Sequence, residues 1–248
     1  ALYGIGRAAL YFIENHRWIM ARGTVHHITW GEILTFGLLG GVSALVFPDT
    51  PLFRGRRGWI QAYCLLLGTA LLFSQARGPW LACAVALATI AALRKQARPM
   101  LFAAVASTLV FFLAAPRLAR PYSERFLSIF NPSEAANAVR FDLWRLAVQV
   151  FRESPLTGVG PENFGLRIKV LHPGPFADTM VHTQAHNLYL HQLAERGLVG
   201  VGMLLALLGF LWWRALQRYR RSPDFRSLWL IAALTGFWVM NLTQNSLQ

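Results

Sequence analysis

The sequence predicts an all-α fold: a polytopic transmembrane helical bundle with one long helical segment outside the bilayer. Three observations predict it. First, the 248 residues are 55% hydrophobic and only 14% charged, with a mean hydropathy of +0.39. A soluble domain of this length carries about a quarter charged residues. Second, the apolar residues gather in six runs. Third, the basic residues that give a net charge of +13 sit in short clusters between those runs, the layout of cytoplasmic loops and not of a nucleic-acid-binding surface.

The runs are residues 31–47, 59–74, 79–93, 99–115, 197–213 and 226–243. A spanning helix needs about 20 mostly apolar residues. Several runs are shorter and must extend into their flanks or lie in a thinned interface. Cys64 and Cys83 fall inside runs, where they read as small buried hydrophobes, not a disulfide. The chain opens without Met and ends just after an apolar run, so it reads as a partial chain lacking further spans.

Orientation follows from the loops. Arg54, Arg56 and Arg57 separate runs one and two; Arg94, Lys95 and Arg98 separate three and four; Arg214, Arg218, Arg220, Arg221 and Arg226 separate five and six. These are alternate connections, so all can face the cytoplasm. Trp59, Trp212, Trp213 and Trp229 flank them as interfacial anchors would. The tight turn around Arg77 and the long segment 116–196 then lie outside. The domain reading is a bundle of about four spans over 1–115, an external domain over 116–196 and two further spans over 197–248.

The external segment carries its own helical signals. Val139, Leu143, Leu146 and Val150 recur at helical spacing and predict a helix over 134–152, capped by Ser133 or Asn131 and ended by Ser154-Pro155. PLTGVGPENFG follows as a turn-rich stretch, and Pro173 and Pro175 mark another loop. A second helix begins at His186 and runs into the fifth span.

Arg77 lies in SQARGPW at the mouth of a helical hairpin. It reads as a snorkelling interfacial arginine or as an anion site, because a charge near the membrane needs a partner. Arg140, near Asp142 and Arg145, reads as part of a solvated face, or as a second guanidinium beside Arg77 that would clamp a diphosphate. His186 suits the work of a general base near neutral pH. His182, His186 and His191 lack the Cys or carboxylate partners a zinc set needs. GVGPENFG follows a helix, not a strand, and is no dinucleotide loop. Glu195 and Arg196 read as a local ion pair, and His26 and His27 as external residues of open role.

Together these motifs resemble the O-antigen ligase family and its wider superfamily of O-antigen polymerases and bacterial O-oligosaccharyltransferases. His186, Asn187, Gly197 and Gly200 meet an HN-x9-G-x2-G pattern that ends a long external loop just before a span. SQARGPW resembles the family's external arginine turn, PLTGVGPENFG its Pro-Leu-x-Gly-x-Gly loop and NAVRFDLW its arginine-bearing loop helix. The resemblance covers nearly the whole chain. It implies about a dozen spans in the complete protein.

The resemblance further implies an inverting, metal-independent glycosyltransferase of lipopolysaccharide biosynthesis, using no cofactor. The glycan donor would be linked to undecaprenyl diphosphate and the acceptor would be lipid A–core. The protein would lie in the bacterial inner membrane with its active site facing the periplasm. His186 matches the family's catalytic histidine, and Arg77 and Arg140 match the two arginines that engage the lipid diphosphate. Asn187 joins these three as a substrate-binding candidate. Alternatives of the same superfamily are the polymerase and a protein O-oligosaccharyltransferase. A transporter is a more remote one, since it expects ionisable residues within the spans, and these hold almost none besides Glu32.

Overall fold

A computed structural model describes residue 5 and residues 26–114, 116–131, 133–171 and 184–246. Pro173, Pro175 and His182 lie outside them. The regular elements among the described residues are all helical, with no strand. In order the helices are α1 (His27–Val46), α2 (Arg57–Phe73), α3 (Arg77–Leu93), α4 (Arg98–Ala114), α5 (Pro116–Leu127), α6 (Ala135–Glu153), α7 (Phe164–Leu171), α8 (Leu188–Arg221) and α9 (Phe225–Met240). Short 3-10 turns at Lys95–Ala97 and Ser128–Phe130 precede α4 and follow α5.

Each of the six apolar runs falls largely on one helix. Two helical stretches, Ile28–Val46 and Leu188–Arg221, are long and apolar enough to cross a membrane. The apolar helices α2, α3 and α9 are shorter, at 17, 17 and 16 residues. In α8 the apolar window is only 11% buried, and Met203, Leu207 and Phe210 are each more than half exposed. Such a surface is unfavourable in water and at home in lipid.

The chain divides into two compact units, Ala1–Ile129 with Trp212–Met240, and Phe130–Leu211 with Asn241–Gln248. In the first, α1, α2, α3 and α9 pack around Leu39, Ala70, Ala86, Ile90, Leu228 and Ile231. The α1–α2 contact is made by Gly37 and Gly41, one helical turn apart. A Cβ on Gly37 would stand 2.8 Å from the Tyr63 hydroxyl, and one on Gly41 2.5 Å from Cys64 Sγ. Small residues at four-residue spacing let helix backbones approach closely, the usual device of helix pairs in membranes.

In the second unit α6 lays one face on α7 and on the start of α8. Leu143, Leu146, Ala147 and Val150 are buried there with Phe164, Ile168, Ala185 and Ala194, and Val139 packs against them. The apolar stripe is the one the sequence periodicity marks. The cap differs: Glu134 occupies the N-cap of α6 but its side chain does not cap the helix, while Asn131 Oδ1 accepts from the Ser133 amide in the turn before it. α5 and α7 are additions to the sequence reading.

Candidate active site

The four candidate residues fall in two places. Arg77 belongs to the first unit; Arg140, His186 and Asn187 belong to the second.

Arg77 is the first residue of α3 and is 8% exposed. The turn before it is fixed from both sides. Ser74 Oγ donates to the Leu71 carbonyl at 2.6 Å and accepts from the Ala76 amide at 3.3 Å. Gln75 takes a left-handed conformation (φ 51°), and its carbonyl accepts from Arg125 Nε at 3.2 Å. Arg77 Nη1 donates to the carbonyl and the hydroxyl of Ser128, both at 3.0 Å. The guanidinium is therefore held by the turn after α5, a contact 51 residues away that no local pattern announces.

His186 stands just before α8 with a left-handed backbone (φ 48°) and a half-buried side chain. That conformation is uncommon outside glycine and is often found where the surrounding structure holds a functional side chain. The holding groups are explicit. Asn187 Oδ1 accepts from the Leu190 amide at 3.0 Å, which is the bond of an N-cap residue to the third helical N–H. Asn187 Nδ2 donates to the Leu242 carbonyl at 3.0 Å. The Leu188 amide donates to the carbonyls of Asn241 and Gln244 at 3.0 and 2.8 Å. Asn241 is fully buried, and its Oδ1 accepts from the Ser246 amide at 2.9 Å. The segment after α9 thus clamps the start of α8.

The other motifs meet each other. At Gly197 (φ 63°, ψ −163°) the helical path of α8 breaks. The break frees carbonyls before it and amides after it. Ala194 and Glu195 carbonyls accept from the amides of Val159 and Gly160 at 3.0 and 2.9 Å. The amides of Leu198 and Val199 donate to the carbonyls of Pro155 and Leu156 at 2.9 and 3.2 Å. The PLTGVG loop is therefore hydrogen-bonded along both sides of the break. A Cβ on Gly158 would lie 2.2 Å from the Glu195 carbonyl carbon, and one on Gly197 2.3 Å from the Leu156 oxygen. At Gly200 a Cβ would fall 2.2 Å from that of Arg196. The two motifs are one backbone junction, and the spacing of both glycine patterns follows from it.

A buried pair braces this junction. His191 Nε2 lies 3.4 Å from Glu195 Oε2, with both side chains essentially inaccessible, and Glu195 Oε1 accepts from the Phe164 amide at 3.3 Å. The Phe164 ring meets the His191 ring edge-on at 5.2 Å. Glu195 therefore pairs with His191, while Arg196 reaches Gln192 instead of forming the expected ion pair with Glu195. Proximity to residue 196 in sequence suggested a partner, but helical geometry favours the residue four back.

Arg140 is half-buried on α6, one turn before Leu143 and on the side of the helix that packs against α7 and α8. Asp142 and Arg145 pair with each other at 3.4 Å on the exposed side. His26 Nδ1 accepts from the Ile28 amide at 3.4 Å and caps α1. Among the described residues no three His, Cys, Asp or Glu side chains group as a metal site would need.

The sequence reading missed Ser128, Arg125, Asn241 and Gln244. The buried amides after α9 carried one signal: a polar NLTQN stretch directly after an apolar helix, without the basic residues of a cytoplasmic flank.

No match is found among curated proteins. Residues 62–205, more than half of the chain, match the family model described as O-antigen ligase. The match begins within α2 and ends within α8, and so takes in the Arg77 turn, α6, the PLTGVG loop and the His186 junction, which places the protein in the O-antigen ligase family.

Proposed function

We propose that this membrane protein is an O-antigen ligase, moving a glycan from undecaprenyl diphosphate to a sugar hydroxyl of lipid A–core at the periplasmic face of the inner membrane. The observation that carries the reading is the junction that holds His186. It combines a left-handed residue, a capping Asn187 and a loop hydrogen-bonded across Gly197. This much fixed backbone suits a side chain that must be held in a productive geometry.

In the proposed reaction His186 takes the proton from the acceptor hydroxyl. The oxygen attacks the anomeric carbon from the face opposite the diphosphate. A glycosidic bond forms with inversion as the bond to the diphosphate oxygen breaks. Undecaprenyl diphosphate leaves with the bonding pair, and Arg77 and Arg140 offset the charge that grows on it. Removing one such stabilising group typically costs about 100-fold or more in rate. With two guanidiniums in this role the reaction needs no metal. Asn187 is proposed to contribute to substrate binding while its amide caps α8.

The family relationship and the exposed apolar α8 support a membrane setting, and the basic loops support the orientation. In the proposed topology, residues 1–115 and 197–248 hold the spans and 116–196 the external domain.

The test is transfer by the full-length protein in proteoliposomes, with undecaprenyl-diphosphate glycan, with and without lipid A–core. Product on lipid A–core that is lost in His186→Ala is the expected result. A ladder of longer lipid-linked glycan without core would instead identify a polymerase, and glycosylated protein a protein O-oligosaccharyltransferase. Full activity in Arg77→Lys would overturn the bidentate role of that guanidinium.

A further inference from the structure

The buried face of α6 accounts for Leu143, Leu146, Ala147 and Val150. The opposite face is not a plain solvated surface. Phe141, Trp144, Arg145, Val148, Gln149 and Arg152 line an open groove of about 510 Å³, with Leu190 of α8 at its side. These positions recur at three- and four-residue steps, so they form one continuous stripe. The stripe is about 16 Å long at 1.5 Å rise per residue.

Its chemistry is of two kinds. Phe141 and Trp144 meet edge to face, with centroids 5.4 Å apart and planes at 90°, and the Phe141 ring is 42% exposed. Aromatic surface of this sort is matched by the apolar faces of sugar rings. Arg145, Gln149 and Arg152 are exposed along the same stripe. A planar guanidinium binds a carboxylate, a phosphate or a pair of neighbouring hydroxyls through two parallel bonds. The stripe carries two guanidiniums against one carboxylate, Asp142, which pairs with Arg145 at 3.4 Å. The next carboxylate, Glu153, is engaged by Arg167 at 3.4 Å. The face is therefore amphipathic and net positive.

We propose that this outer stripe of α6 is a binding groove for an acidic saccharide: a short run of sugar rings bearing carboxylate or phosphate groups. The rings lie on Phe141 and Trp144, and the anionic groups meet Arg145 and Arg152. The proposal rests on the glycan-transfer reading, and the saccharide belongs either to the donor or to the acceptor.

Two measurements test it on the full-length protein. The first needs no turnover. In the His186→Ala protein, saturation-transfer NMR is recorded with a hexasaccharide of alternating glucuronic acid and N-acetylglucosamine, and with maltohexaose as the neutral control. Binding of the acidic probe in preference to the neutral one, reduced ~10-fold in affinity by Arg145→Gln with Arg152→Gln, is the expected result. Equal binding of the two probes, no binding, or binding that survives the double substitution overturns the groove. Both arginines are exposed, so the substitution leaves the packed face of α6 alone.

The second measurement uses the double variant with His186 intact and varies donor and acceptor separately. A rise in KM for one substrate, with kcat held within about twofold, identifies the source of the saccharide. A fall in kcat with both KM values unchanged overturns the binding role. If His186-dependent transfer is absent altogether, the glycan-transfer reading fails, and the probe experiment still decides the groove.

Discussion

At the scale of single residues, the strongest constraint lies at Gly197. Its φ of 63° and ψ of −163° fall in a region open essentially only to glycine. The space is closed as well, since an added Cβ would meet the Leu156 oxygen at 2.3 Å and the Gly158 nitrogen at 2.6 Å. Both contacts are backbone and cannot swing aside. Gly197→Ala should therefore cost roughly 3 kcal/mol or more, the sum of a strained conformation and a displaced loop. Gly202, five residues on, has nothing within 4 Å of a Cβ, so Gly202→Ala should be neutral or slightly stabilising. Thermal unfolding of the purified protein compares the two. A small loss in Gly197→Ala would mean that the loop tolerates a different path over α8. The sequence displayed these glycines by position in a pattern but not by purpose. Their purpose lies in a pairing between residues 155–160 and 194–199, which is non-local.

Among the helices, legibility tracked how local the determining physics is. The apolar face of α6 was readable because period and burial coincide along one segment. α5 was left unread although Leu118, Tyr122 and Phe126 recur at helical spacing, and contacts to the Arg77 turn help place it. The start of α9 shows a cap that local chemistry does explain. Asp224 Oδ1 accepts from the Ser227 amide at 2.8 Å, and Oδ2 lies 3.0 Å from Arg218 Nε. Partial burial pushes its pKa up, but the Ser227 amide and hydroxyl and Arg218 outweigh this and hold it below the ordinary value. The folded state therefore favours the carboxylate. That contribution is fully present above the ordinary carboxylate range, near pH 4, and is lost as pH falls through the lowered value. Asp224→Ala should cost about 1 kcal/mol at neutral pH, as loss of an N-cap does. Asp224→Asn should keep most of the cap. The melting-temperature gap between wild type and Asp224→Ala should stay level from pH 8 to about 5 and narrow below about 4. A gap unchanged at acid pH would show that the carboxylate charge is irrelevant to the cap.

For the molecule as a whole, apolar length and packing divide the chain differently. Two helical stretches meet the length and composition of a span, and α8 presents apolar side chains on nearly every side. The packing units do not follow the order of the chain: the segment after α9 joins the unit that contains His186, although α9 itself belongs to the other. Sequence reading divided the chain at apolar boundaries and so could not anticipate that the last described residues secure the first turn of α8. The basic clusters make a separate prediction about sidedness, because cytoplasmic loops hold the excess of Lys and Arg. They put Arg56, Lys95 and Arg220 on one side, and Arg145 and Glu162 on the other. Cys64 and Cys83 are free thiols, one half-buried and one buried, and must be removed first. In a Cys64→Ala, Cys83→Ala background, Arg145→Cys or Glu162→Cys should react in intact spheroplasts with a maleimide that cannot cross the membrane. Arg56→Cys, Lys95→Cys and Arg220→Cys should react only after the membrane is opened. Labelling of residue 95 together with 145 in intact spheroplasts would break the alternation on which the proposed orientation rests, and with it the proposed place of His186 at the periplasmic face.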